Sequence, residues 1–200
     1  MAFVLEQKYL PAFLAAPPMN DEQFVEFCAR HSEYRFESTE EGDLFVTAPS
    51  SSSVSRSISE IEFQLQIWAR HDWRGTVTKA PSGFLLPNGA RRRPSVAWTS
   101  QPRMEALPPG GHTAFLPLCP NVVIEFRLPA GLPKISDTKM LEYMENGAQL
   151  GWLIDPETRS VTIYRPNQSP ETLTNIDSLT ATEPLTNFTL DLAEVWNPLQ

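Results

Sequence analysis

Two hundred residues, 41% of them apolar and 10% aromatic, are enough for one domain with a real core. A net charge of -8 and a pI near 4.9 exclude a chain that holds nucleic acid by bulk positive charge, because phosphate binding needs concentrated cations. No apolar run is long enough to span a bilayer and the start lacks the order of a signal peptide, so a cytoplasmic protein that does not enter a membrane is expected.

In chain order, residues 1–19 hold Pro11, Pro17 and Pro18 among scattered hydrophobics and read as an extended arm, suited to lie across a partner subunit; residues 20–200 read as a single domain. Asn20-Asp21-Glu22-Gln23 is a capping-box-like start for a helix to about Arg30, with Phe24, Phe27 and Cys28 as its apolar stripe. Tyr34–Glu37 and Asp43–Ala48 flank Glu40-Glu41-Gly42 as a hairpin. From about Val54 to Arg70, Val54, Ile58, Ile61, Leu65 and Trp68 recur on one helical face, which should cover a sheet.

Short strands follow at Thr76–Thr78 and Gly83–Leu86, then a turn at Pro87-Asn88-Gly89 and a strand through Arg93–Trp98. Residues 101–119 read as a helical turn and a Pro/Gly loop. The strand Asn121–Arg127 leads to a helix with Ser136 as N-cap and Gly147 as C-cap, and then to a strand at Leu150–Ile154. Ser160–Tyr164 is a further strand, and the remainder reads as a small strand and a closing helix. The order implies a mixed α/β layer with a crossover helix.

The polar residues give that order its chemistry. Glu125 follows Val122-Val123-Ile124, and a buried ionised Glu is costly unless it is paired or metal-bound. Arg127, two residues on, projects to the same face, and Lys139 in the next helix can return over the strand end. A carboxylate on a buried strand with a lysine beside it is the minimal apparatus of metal-dependent phosphodiester hydrolysis; an internal salt bridge explains Glu125 equally well. Arg91-Arg92-Arg93 is the one dense basic run, and salt-bridged strand residues are its favoured explanation over a polyanion site. Cys28 and Cys119 read as buried free thiols, without disulfide or zinc spacing. His31, His71 and His112 are scattered and form no triad, while Trp68, Trp98 and Trp152 sit in apolar settings as core residues.

Over roughly residues 20–195 the chain resembles the Uma-type restriction endonucleases of the PD-(D/E)XK superfamily. The resemblance is carried by Gly83–Ala90, Arg93-Pro94 with Val96-Ala97-Trp98, Pro120–Glu125, Lys139–Tyr143 with Asn146-Gly147, and Gly151–Pro156. It implies a restriction-endonuclease-like α/β core with a mixed sheet flanked by helices, a Mg2+ or Mn2+ site, DNA as substrate and a homodimer. Residue by residue, it implies Glu125 as metal ligand, Lys139 as charge stabiliser, Arg127 beside them, and Glu37 as a further carboxylate.

The chain departs from the family pattern where the metal would sit. Ser95 stands at the position of the family's metal-binding Asp, and a neutral hydroxyl is a poor magnesium ligand. Leu128-Pro129-Ala130-Gly131 replaces a polar turn. The expectation is therefore a catalytically impaired endonuclease, with Glu37 or Glu62 as compensating carboxylates; a non-catalytic binding or assembly module on the same scaffold is the alternative.

Overall fold

The computed structural model describes residue 6 and residues 9–108, 114–128 and 133–198. The chain starts with β1 (Ala12–Leu14) and α1 (Asp21–Arg30). The Asn20 side chain accepts from the Gln23 N–H and the Gln23 side chain accepts from the Asn20 N–H, the reciprocal cap expected from their spacing. The expected hairpin is β2 (Arg35–Ser38) and β3 (Leu44–Thr47), turning through Gly42 at a φ of 92°. β1 corrects the expectation of an unpacked arm, because Ala12–Leu14 pair antiparallel with β3 of the same chain. Leu10, Leu14 and Ala16 pack against the core beneath that sheet.

α2 (Ser52–Asp72) is capped by Ser51, whose hydroxyl accepts from the Val54 N–H. After it come β4 (Gly75–Lys79), β5 (Gly83–Leu85), β6 (Arg91–Arg92) and β7 (Val96–Ser100). The strand expected over 93–98 starts later than expected, at Val96, and is preceded by the separate short strand β6. β6 pairs with β2 and β5, whereas β7 pairs with β4 in a different sheet, so Arg93–Ser95 crosses between the sheets. Pro94 has no N–H for a ladder and suits the crossing. The chain continues with α3 (Gln101–Glu105), β8 (Phe115–Leu116), β9 (Val122–Phe126), α4 (Pro133–Glu145), β10 (Leu150–Asp155) and β11 (Ser160–Tyr164). β12 (Glu171–Thr174), β13 (Ser178–Thr180), β14 (Thr189–Asp191) and α5 (Ala193–Trp196) complete it, with more strands than the single one expected there.

One large sheet has the order β1-β3-β2-β6-β5-β8 and the second β12-β11-β10-β9-β7-β4, with β9 and β10 parallel across the α4 crossover, and β13 and β14 form a small two-stranded sheet of their own. The second sheet lies between two helices. Val96, Trp98, Val122, Ile124, Trp152 and Ile154 meet Ile61 and Leu65 of α2, as its apolar stripe implies. The alternate residues Ala97, Val123 and Leu153 meet Met140 and Tyr143 of α4. Glu125 shares the parity of Val123 and stands opposite Leu153 in the parallel register, which turns it toward α4.

α4 begins at Pro133, so Ser136 is not its N-cap. Proline suits a first helical position because the N–H it lacks would have no partner there, and Ser136 is buried with its hydroxyl accepting from the Leu128 N–H. The other end is as expected. Gly147 takes a φ of 102° while Ala148 donates to the Tyr143 carbonyl at 2.9 Å and Gly147 to that of Met144 at 3.1 Å. Cys119 is buried and Cys28 half-buried, both as thiols, and burial pushes the Cys119 thiol up to about 12. Among the described residues no helix is long and apolar enough to cross a membrane.

Candidate functional site

Glu37 on β2, Glu125 on β9 and Lys139 on α4 meet where Arg93–Ser95 passes between the sheets. The Lys139 Nζ lies 2.6 Å from Glu125 Oε1 and 2.8 Å from Glu37 Oε1. Glu125 has further donors on both oxygens: the Tyr143 hydroxyl donates to Oε1 at 3.2 Å, and the Ser95 hydroxyl and N–H donate to Oε2 at 3.2 and 3.3 Å. Glu37 Oε1 also accepts from the Arg93 N–H at 2.8 Å, while its Oε2 has no hydrogen bond and faces Arg92 Nη1 at 3.6 Å. Arg92 in turn donates from Nε and Nη2 to Glu142, at 2.5 and 3.0 Å.

This is a buried ionic network, with Glu37 3% and Glu125 7% exposed. Burial alone would raise the Glu37 carboxyl, but the charges of Lys139, Arg92 and Arg35 prevail and hold it at about 2. Burial opposes the charge of Arg92, yet Glu142 and Glu37 keep the guanidinium firmly protonated. Burial, reinforced by Glu125 and Glu37, pushes the Tyr143 phenol far above its usual range, so Tyr143 acts here as a hydrogen-bond donor. A cleft of about 820 Å³ opens onto Glu37, Ser95, Glu125 and Lys139, with Phe126 and Ile135 in its wall.

Arg127 lines the same cleft in a separate group. It donates from Nη1 and Nη2 to Asp137 at 3.0 and 3.1 Å and has Nε 3.8 Å from Asp155, while the Tyr164 hydroxyl also donates to Asp137. Glu62 does not compensate for Ser95: its carboxylate lies 2.5 Å from Lys79 Nζ, and it is not among the residues lining the cleft. The arginine run is tied into the protein, Arg91 to Asp21, Arg92 to Glu142, and Arg93 over the Phe115 ring. Pro129–Gly131, part of the departure from the family turn, lie outside the described residues.

The donor set does not fit a divalent metal ion. Among the described residues no three His, Cys, Asp or Glu side chains come together as ligands. The carboxylate oxygens that converge are already occupied by donors, chiefly one ammonium, and Ser95 contributes only a hydroxyl.

The architecture is a mixed α/β one, with helices flanking a mixed sheet. The chain is similar to the "Crystal structure of a putative nuclease belonging to DUF820 from Anabaena variabilis ATCC 29413 at 1.96 A resolution", with a TM-score of 0.73 and 19% identity over 90% of this chain and 98% of that one. At that identity the likeness shows the shared fold. The family model described as "Uma2: Putative restriction endonuclease" matches residues 21–193, and the chain belongs to that family. No curated protein matches it.

Glu37, Ser95, Glu125 and Lys139, all singled out in the sequence, are thus brought together, and Arg127 stands apart with Asp137. Arg92, Glu142 and Tyr143 also belong to the network; salt bridges were expected of the arginine run, whereas Glu142 and Tyr143 were not expected in it. The signal for two of them is helical spacing, since Lys139, Glu142 and Tyr143 are three and four residues apart on one face of α4.

Proposed function

We propose that this chain is a DNA endonuclease of the restriction-endonuclease type whose phosphodiester chemistry is impaired. The observation that supports this reading is the Ser95 hydroxyl, which donates to Glu125 at 3.2 Å where a second carboxylate would be needed. Glu125 remains as the anchor of the family's Mg2+ or Mn2+ position, Ser95 is its weakened partner, and Lys139 is the cation that would meet a phosphate. Glu37 holds Lys139 in place. Arg127, engaged by Asp137 and Asp155, braces α4 against the end of β9 at the rim.

The same reading includes a homodimer. Tyr9 is 61% and Phe13 53% exposed, and β1 has a strand neighbour on one side only among the described residues. A non-catalytic binding or assembly module is the second reading, favoured by the saturation of Glu125 with donors.

A plasmid-nicking assay in Mn2+ on the wild type, Ser95→Asp and Glu125→Ala separates them. The impaired-nuclease reading expects wild-type nicking no faster than Glu125→Ala and a measurable gain in Ser95→Asp. Inert Ser95→Asp protein favours the module, and wild-type nicking that survives Glu125→Ala removes the site.

A further inference from the structure

We propose that the Lys139 ammonium is the resident cation of the Glu37 and Glu125 carboxylates, and that a divalent ion of the Mg2+ or Mn2+ class enters this pair only when that ammonium is removed. The inference concerns the site of the proposed function but rests on its geometry, not on DNA cleavage.

Two carboxylates buried at 3% and 7% exposure repel each other unless a cation stands between them. Lys139 Nζ is that cation, within 2.8 Å of one oxygen of each. A divalent ion held by both carboxylates would need the space between Glu37 and Glu125 that the ammonium fills at 2.8 and 2.6 Å. Ammonium and metal exclude each other there. Arg92 cannot take over from Lys139, because its Nε and Nη2 are already on Glu142 and its Nη1 reaches no closer than 3.6 Å to Glu37.

The rest of the network holds the two carboxylates in place when the ammonium goes. Glu37 Oε1 keeps the Arg93 N–H at 2.8 Å, and Glu125 keeps the Tyr143 hydroxyl and both donors of Ser95. What remains is a set of hard oxygens, two carboxylates with the lone pair of the Ser95 hydroxyl beside them, opening on the cleft that gives an ion its path in.

The test is Mn2+ binding by the full chain, stripped with chelator, followed by thermal unfolding and isothermal titration on wild type, K139M, K139R and the charge-balanced double variant E125Q/K139M. Wild type and K139R are expected to melt at the same temperature with and without Mn2+. K139M is expected to melt lower without metal and to gain roughly 5–10 °C at a Mn2+ concentration about 100 times its Kd. E125Q/K139M should not respond. Mn2+ binding by wild type as tight as by K139M overturns the proposal, and so does folded K139M that ignores Mn2+. If K139M does not fold, K139Q replaces it, since its amide still donates to one carboxylate; a Mn2+ response in K139Q supports the proposal and its absence overturns it. Ser95→Asp that gains Mn2+ affinity beside a metal-blind K139M would remove this inference and leave the proposed function; DNA cutting by wild type without added metal would remove the proposed function alone.

Discussion

Glu37 is the residue whose environment differs most from what the chain around it implies. Its neighbours in the hairpin are polar enough for a surface carboxylate, yet it is buried against Lys139 and Arg92 and held at about 2. Its folded value lies below the ordinary 4.5, so its contribution to stability is complete above that value and is lost as pH falls toward about 2. Glu37→Gln should therefore flatten that part of the acid stability profile, measured by urea unfolding from pH 5 downward, and should lower stability at neutral pH. Glu142→Ala should cost about 3–5 kcal/mol in the same assay, because it strips Arg92 of its bidentate partner and leaves a buried guanidinium facing Glu37 at 3.6 Å. A loss below about 1 kcal/mol would mean that Arg92 finds water. Glu125 is legible in the sequence because a carboxylate in an apolar strand is anomalous, and Lys139 because the family resemblance singles it out, since a helix lysine is otherwise ordinary. Glu142 is not legible, since it looks like an ordinary surface charge until α4 meets β6, and Arg92 is legible only as one of a salt-bridged run without its partner.

At the scale of elements, legibility follows periodicity. α2 is plain from Ile58, Ile61, Leu65 and Trp68, and that face does cover the second sheet. Leu65 is fully buried there, and Leu65→Ala should cost on the order of 2–5 kcal/mol by denaturant unfolding; a loss under about 1 kcal/mol would contradict the packing. The stretch Arg91–Ser100 hides its break for a physical reason. Pro94, which has no N–H for a ladder, is the one local mark of the crossing, and the change of partners from β2 and β5 to β4 shows only in the pairing. The break matters because it sets Ser95 beside Glu125. Ser136 misleads likewise, because a serine before an apolar helical stripe has the signature of a cap, whereas Pro133 starts the helix one turn earlier and frees the hydroxyl for the Leu128 N–H.

For the whole molecule, residues 21–193 match the family described as "Uma2: Putative restriction endonuclease", while the junction of the two large sheets carries the ion pair of Lys139 with Glu125. Light scattering at micromolar concentration should give twice the 22.5 kDa chain mass, and Phe13→Asp should shift it to monomer, since Phe13 is an exposed apolar residue on the open edge strand. A monomeric wild type would contradict it. On the proposed reading, a neutral hydroxyl on Glu125 Oε2, in place of a carboxylate, is what keeps a metal ion out on that side, away from the Lys139 ammonium on Oε1. Isothermal titration of Mn2+ into wild type and Ser95→Asp tests it most directly. No saturable heat is expected from wild type and a single site from Ser95→Asp, on the Oε2 side of Glu125; a saturable site in wild type, abolished by Glu125→Ala, would overturn this reading.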